Sequence, residues 1–112
     1  MSFSFETDDH HVVIAHIGKI LDFRNAEAFR AATREQLQEG ARHFILDFTG
    51  TDLLDSVGLG AIFSLYRHLS PNDGQVVFAG ADGAVAVMIE LTKIEQIFPS
   101  FPDVESARTA FA

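Results

Sequence analysis

Cysteine and tryptophan are both absent from this chain of 112 residues. Without thiols there is no disulfide framework and no thiolate metal site, which fits a reducing compartment, and the cytoplasm is the expected location. Proline is scarce, at three residues. No Pro-, Gly- or Ser-rich linker, low-complexity tract or internal repeat divides the chain, so a single domain over 1–112 is expected. Positive charge is short as well: eight Lys and Arg stand against sixteen Asp and Glu, a formal −8. Such a surface repels nucleic acid and anionic lipid and favours a partner with a basic face, although the same charge also keeps a small protein dispersed. No apolar run reaches membrane-spanning length, and the N-terminal MSFSFETDDHH has no basic region followed by an apolar stretch. Neither a membrane span nor a signal peptide is expected.

What the chain does contain is apolar periodicity. Hydrophobic residues make up 47%, and eleven phenylalanines against one tyrosine point to a core filled by rings without polar handles. SFSFE alternates and VVIAHI is a continuous apolar run; with the polar break TDDHH between them they predict a hairpin of strands near 2–7 and 11–17. Asn25 is placed to cap a helix through AEAFRAATREQLQEG, with Phe29, Ala32 and Leu37 near one face and Gly40 ending it. HFILDF (43–48) and QVVFAG (75–80) have the unbroken apolar character of strands covered on both sides. Between them Leu59, Ile62, Phe63, Tyr66 and Leu69 recur at helical spacing until SPNDG (70–74) breaks the pattern. GAVAVMIELTKI (83–94) reads as a helix, although Val85, Val87 and Ile89 also alternate. Asp103 is placed to cap a last helix, VESARTAF. The order β-β-α-β-α-β-α-α makes this an α/β domain: a mixed, mainly parallel sheet with an antiparallel edge and about four helices.

The chemistry concentrates in LLDSVGLG, Leu53 to Gly60, between a strand and a helix. As a nucleophile elbow it fails, because G-x-S-x-G needs a glycine where Leu54 stands. None of His10, His11, His16, His43 or His68 has sequence context that makes it a base for Ser56. As a phosphate cradle it lacks the third glycine, which is Phe63, and a Walker-type lysine. Asp47, Asp52 and Asp55 have no metal-loop spacing and read as turn and capping acids, so no metal site, cofactor or catalytic apparatus is expected. Two readings stay open from the residues: Asp55 or Ser56 is an N-cap, or Ser56 is an exposed hydroxyl that another enzyme modifies. Gly58 and Gly60 would then leave room for a partner's backbone.

FILDFTGTDLLDSVGLGAIFSLYRHL resembles the central segment of STAS-domain proteins, specifically the bacterial anti-sigma factor antagonists. GKILDFRNAEAF resembles the family's stretch between second strand and first helix, and ELTKIEQIFPSFPDVESARTAF its C-terminal stretch. The resemblance covers nearly the whole chain and implies a STAS-like fold acting as a switch rather than an enzyme. It implies that the unmodified form binds a serine kinase of the histidine-kinase-like ATPase group, which is also the anti-sigma factor, and releases its target. The kinase would phosphorylate Ser56, abolishing binding, and a metal-dependent serine phosphatase would restore it. By position the resemblance places partner contacts at Asp22, Phe23, Asp55, Ser56, Val57, Gly58 and Leu59. Val57 departs from the small residue frequent there, and GADGAV lacks the usual polar-basic helix start. The alternative within the same resemblance is a non-phosphorylated STAS subunit that regulates a transporter ATPase of the phospholipid-trafficking type.

Overall fold

A computed structural model describes residues 3–111. Its elements run β1 (Ser4–Thr7), β2 (Val12–His16), β3 (Ile20–Leu21), α1 (Ala26–Gln38), β4 (His43–Asp47), β5 (Leu53–Leu54), α2 (Ser56–Leu69), β6 (Gln75–Ala79), α3 (Gly83–Thr92), β7 (Ser100–Phe101) and α4 (Val104–Ala107). The start of the first predicted strand, at Ser2, lies outside the described residues. The five-stranded sheet has the order β1-β2-β4-β6-β7. β1 pairs antiparallel with β2, and every other pairing is parallel. The expected mixed sheet with one antiparallel edge is therefore the fold.

Alternation along the three central strands sorts their side chains onto two faces. Val13, Ala15, Phe44, Leu46, Val76 and Phe78 point to the side covered by α1, α2 and α3, where they meet Phe29, Ile62, Leu65, Val85 and Ile89. Val12, Ile14, Ile45, Val77 and Ala79 point to the other side, which Ala107 of α4 covers. The phenylalanine-rich composition is used inside: Phe78 stacks on Phe98 at 5.0 Å and meets Phe48 edge-on at 5.1 Å. The C-terminal turn is tied to the first hairpin by Arg108, whose Nη1 donates to Asp8 Oδ2 at 2.6 Å.

Three elements were not foreseen. β3, β5 and β7 are each two residues long. β3 and β5 form a separate parallel pair, Ile20 opposite Leu53 and Leu21 opposite Leu54. This small pair sets the site, because the chain leaves β3 directly into Asp22 and Phe23, and leaves β5 directly into Asp55 and Ser56.

Candidate functional site

Asp55 caps α2: its Oδ1 accepts from the Gly58 N–H at 2.8 Å. The other oxygen, Oδ2, accepts from the Phe23 N–H at 3.0 Å, so one carboxylate holds both the helix and the neighbouring loop. Of the two residues that could have capped, Asp55 does so, and Ser56 is left exposed in the first turn with its hydroxyl outside the cap.

Asp22 is buried, at 1% exposure. Its Oδ2 accepts from Arg24 Nη2 at 2.7 Å and its Oδ1 from the Arg24 N–H at 2.9 Å. The Arg24 hydrogen bond, opposed by desolvation and aided by the backbone N–H, lowers the Asp22 pKa. Asn25 does not cap α1 with its side chain. Instead its Oδ1 accepts from the Asp22 N–H at 2.9 Å and its Nδ2 donates to the Ile20 carbonyl at 3.0 Å, closing the turn behind it. An asparagine before a helix can bond forward or backward, and here the preceding turn wins.

Gly58 corrects the reading of an open surface. It is buried, and a Cβ added there would run into the Leu21 carbonyl oxygen, with Leu21 C at 2.9 Å and Cγ at 3.0 Å. The close approach that this glycine permits is the chain's own, between α2 and β3. Leu59 is also buried, at 8% exposure. The seven residues singled out by sequence thus come together and divide by exposure. Asp22, Gly58 and Leu59 form an internal scaffold, Asp55 is half-buried, and Phe23, Ser56 and Val57 face outward.

The outward set is more apolar than the sequence suggested. Phe23 is 70% exposed, Val57 46% and Leu53 40%. The Arg24 guanidinium carbon lies 6.0 Å from the centre of the Phe23 ring. α3, which packs beside β5, carries exposed Val87 and Leu91. Val87 and Leu91 lie in a helix that is apolar nearly all round, and Leu53 in a strand too short to show a period, so only the fold shows these three facing solvent.

Asp47, Asp52 and His16 have structural places. Asp47 accepts from the Thr49 N–H and hydroxyl in a turn, and Asp52 pairs with Lys19 at 3.2 Å on the surface. His16 lies between Asp47 Oδ2 at 2.8 Å and Glu6 Oε2 at 2.7 Å. Among the described residues no group of three His, Cys, Asp or Glu is arranged to hold a metal ion. No helix among them is long and apolar enough to cross a membrane.

The family model described as STAS domain matches residues 3–107. The chain belongs to the STAS domain family. BtrV of Bordetella bronchiseptica, named provisionally as an anti-sigma factor antagonist, is 27% identical over 100 residues, which cover 89% of this STAS domain and 86% of BtrV. A solved anti-sigma factor antagonist from Mycobacterium paratuberculosis shares its fold with a TM-score of 0.87 at 24% identity, covering 98% of this chain and 92% of that one. The anti-sigma factor antagonist SpoIIAA, solved in its unphosphorylated form, matches with a TM-score of 0.82 at 19% identity over 97% and 96% of the two chains. Bacillus SpoIIAA has also been solved in its phosphorylated form, which matches at 0.75 and 18% over 97% and 99%. The chain thus has the fold of an anti-sigma factor antagonist-like STAS domain.

Proposed function

We propose that this STAS domain is a phosphorylatable partner switch with Ser56 as the acceptor. Its unmodified form binds, in the cytoplasm, an anti-sigma factor serine kinase with a histidine-kinase-like ATPase fold, and binding releases the kinase's other target. The kinase passes the γ-phosphoryl group of ATP to Ser56 Oγ, whose proton leaves to a kinase base as ADP departs. A metal-dependent serine phosphatase later hydrolyses the ester to serine and inorganic phosphate. The domain supplies an acceptor and a surface, and the catalytic groups belong to its partners.

The observation that carries this reading is a serine excused from capping. Asp55 takes the cap, and Ser56 stands exposed beside Phe23, Leu53 and Val57. Exposed apolar side chains around a polar centre are the composition of a protein-binding patch rather than of a free surface. A phosphoryl group there adds roughly −1.5 to −2 charges. The helix N-terminus accommodates an anion, so the fold tolerates it. A partner packed against that patch would not, because it must desolvate the charge next to Asp55. The switch is local electrostatics on an unchanged scaffold.

The test is incubation with the cognate kinase and ATP, read by intact mass and site mapping, with calorimetry of Ser56→Ala and Ser56→Glu against the kinase bound to ADP. We expect one phosphoryl group on Ser56, parent-like binding by the alanine variant, and binding about tenfold weaker or worse for the glutamate variant. Equal affinity of the two variants would end the switch reading.

A further inference from the structure

A second feature lies away from Ser56, in the cleft between the outer sides of α1 and α2. It has a volume of about 260 Å³, and α1 contributes Arg30, Thr33, Arg34 and Leu37 while α2 contributes Ala61, Leu65 and His68. Its floor is apolar, since Ala61 and Leu65 are buried in the core beneath it. Thr33 adds to that floor because its hydroxyl is committed to the Phe29 and Arg30 carbonyls, at 3.0 and 3.1 Å. The rim is cationic. Arg30 and Arg34 stand one helical turn apart and so project on the same side of α1. His68 donates from Nδ1 to the Ser64 carbonyl at 2.9 Å, leaving Nε2 as its remaining polar atom.

Among the described residues no carboxylate lines the cleft, although the chain as a whole carries −8. The nearby Glu27 pairs with Arg30 at 3.8 Å, from an exposed position. Among the described residues Arg34 makes no ion pair. An apolar floor with a few convergent polar groups is the usual make-up of a small-molecule site, here just below the common range of about 300–1,000 Å³.

We propose that this cleft binds a small amphipathic carboxylate. Its carboxylate lies in the fork of Arg30 and Arg34, and its hydrocarbon part on Ala61, Leu65 and Leu37. Guanidinium groups match a carboxylate in plane and in hydrogen-bond spacing. Size and charge together select a small ligand over an acidic protein segment. A single charge is governed by the arginines within a Debye length, whereas a polyacidic chain meets the repulsion of the whole −8 surface. The site is independent of Ser56 and stands whether or not that serine is phosphorylated.

Sodium octanoate is the probe, titrated into the isotope-labelled protein and followed by amide chemical shifts, with octanol and a short polyglutamate peptide as comparisons. We expect saturable shifts confined to the facing turns of α1 and α2. Arg34→Gln and Arg30→Gln should each weaken octanoate about tenfold while leaving the melting curve unchanged, and octanol should bind more weakly than octanoate by a similar factor. Two arginine variants are used so that a folding defect in one leaves the other to decide. Absence of saturation, or shifts centred on α3, would overturn the proposal. So would equal binding of octanol and octanoate, undiminished binding when both arginines are replaced, or a polyglutamate peptide that outcompetes octanoate.

Discussion

Replacing Gly58 with alanine separates a glycine kept for the fold from one kept for a partner. In a helix interior this change normally stabilises by up to about 1 kcal/mol, because alanine loses less backbone entropy on folding. Here the new methyl group meets the Leu21 carbonyl oxygen, with the carbonyl carbon at 2.9 Å and Leu21 Cγ at 3.0 Å. That carbonyl belongs to β3, which is paired with β5, and it also accepts from the Asp55 N–H at 3.3 Å. It cannot retreat without loosening the strand pair that positions the site. Overpacking of this kind costs roughly 1–3 kcal/mol, which exceeds the propensity gain. The net expectation is a loss of about 1–2 kcal/mol, or a melting temperature lower by roughly 4–10 °C. Gly60→Ala is the internal comparison. Its added Cβ meets nothing nearer than Arg30 Nη2 at 3.9 Å, so it should be neutral or stabilise by up to about 1 kcal/mol. Urea and thermal unfolding followed by circular dichroism give both numbers. Equal stabilisation of the two variants would refute the inward placement of Gly58.

Asp55→Ala removes a cap and the tie to the Phe23 loop together, so stability should fall by about 1–3 kcal/mol, and hydrogen exchange at the Phe23 and Gly58 amides should quicken. His16 gives a pH test: the Glu6 hydrogen bond first, and then Asp47, hold its pKa above the ordinary 6.5 against the effect of burial. A raised folded-state value means that this stabilisation is complete below 6.5 and fades as pH rises through the folded-state pKa. Urea midpoints of the parent and His16→Gln, compared from about pH 6 to pH 9, should therefore converge as pH rises, and a constant difference would contradict the clasp.

The long elements were legible because burial writes itself as period. VVIAH, HFILD and QVVFA are strands covered on both faces, and each shows as an unbroken apolar run. α3 could have been read either way from Val85, Val87 and Ile89; it is a helix that buries Val85 and Ile89 and leaves Val87 outside. β3, β5 and β7 could not be read, since two residues carry no period and exist as strands only through tertiary pairing. At the site, sequence located the acid, the serine and the glycines but not their directions. Asn25 and Gly58 have residue types that suit several local roles, and the deciding contacts, Ile20 and Leu21, come from another element. The apolar character of the exposed rim was hidden for the same reason.

The two-handed use of Asp55 has an evolutionary consequence. One carboxylate fixes α2 through Gly58 and the adjacent loop through Phe23, so neither contact can drift without disturbing the other. Asp22, Asn25 and Gly58 are locked to the same frame by their own internal contacts. Variation is then channelled into positions such as 23, 53, 57, 87 and 91, whose side chains face solvent. Duplicated copies of such a domain in one cell could be insulated from each other's partners by changes at those few positions, while the serine and its supporting frame stayed the same.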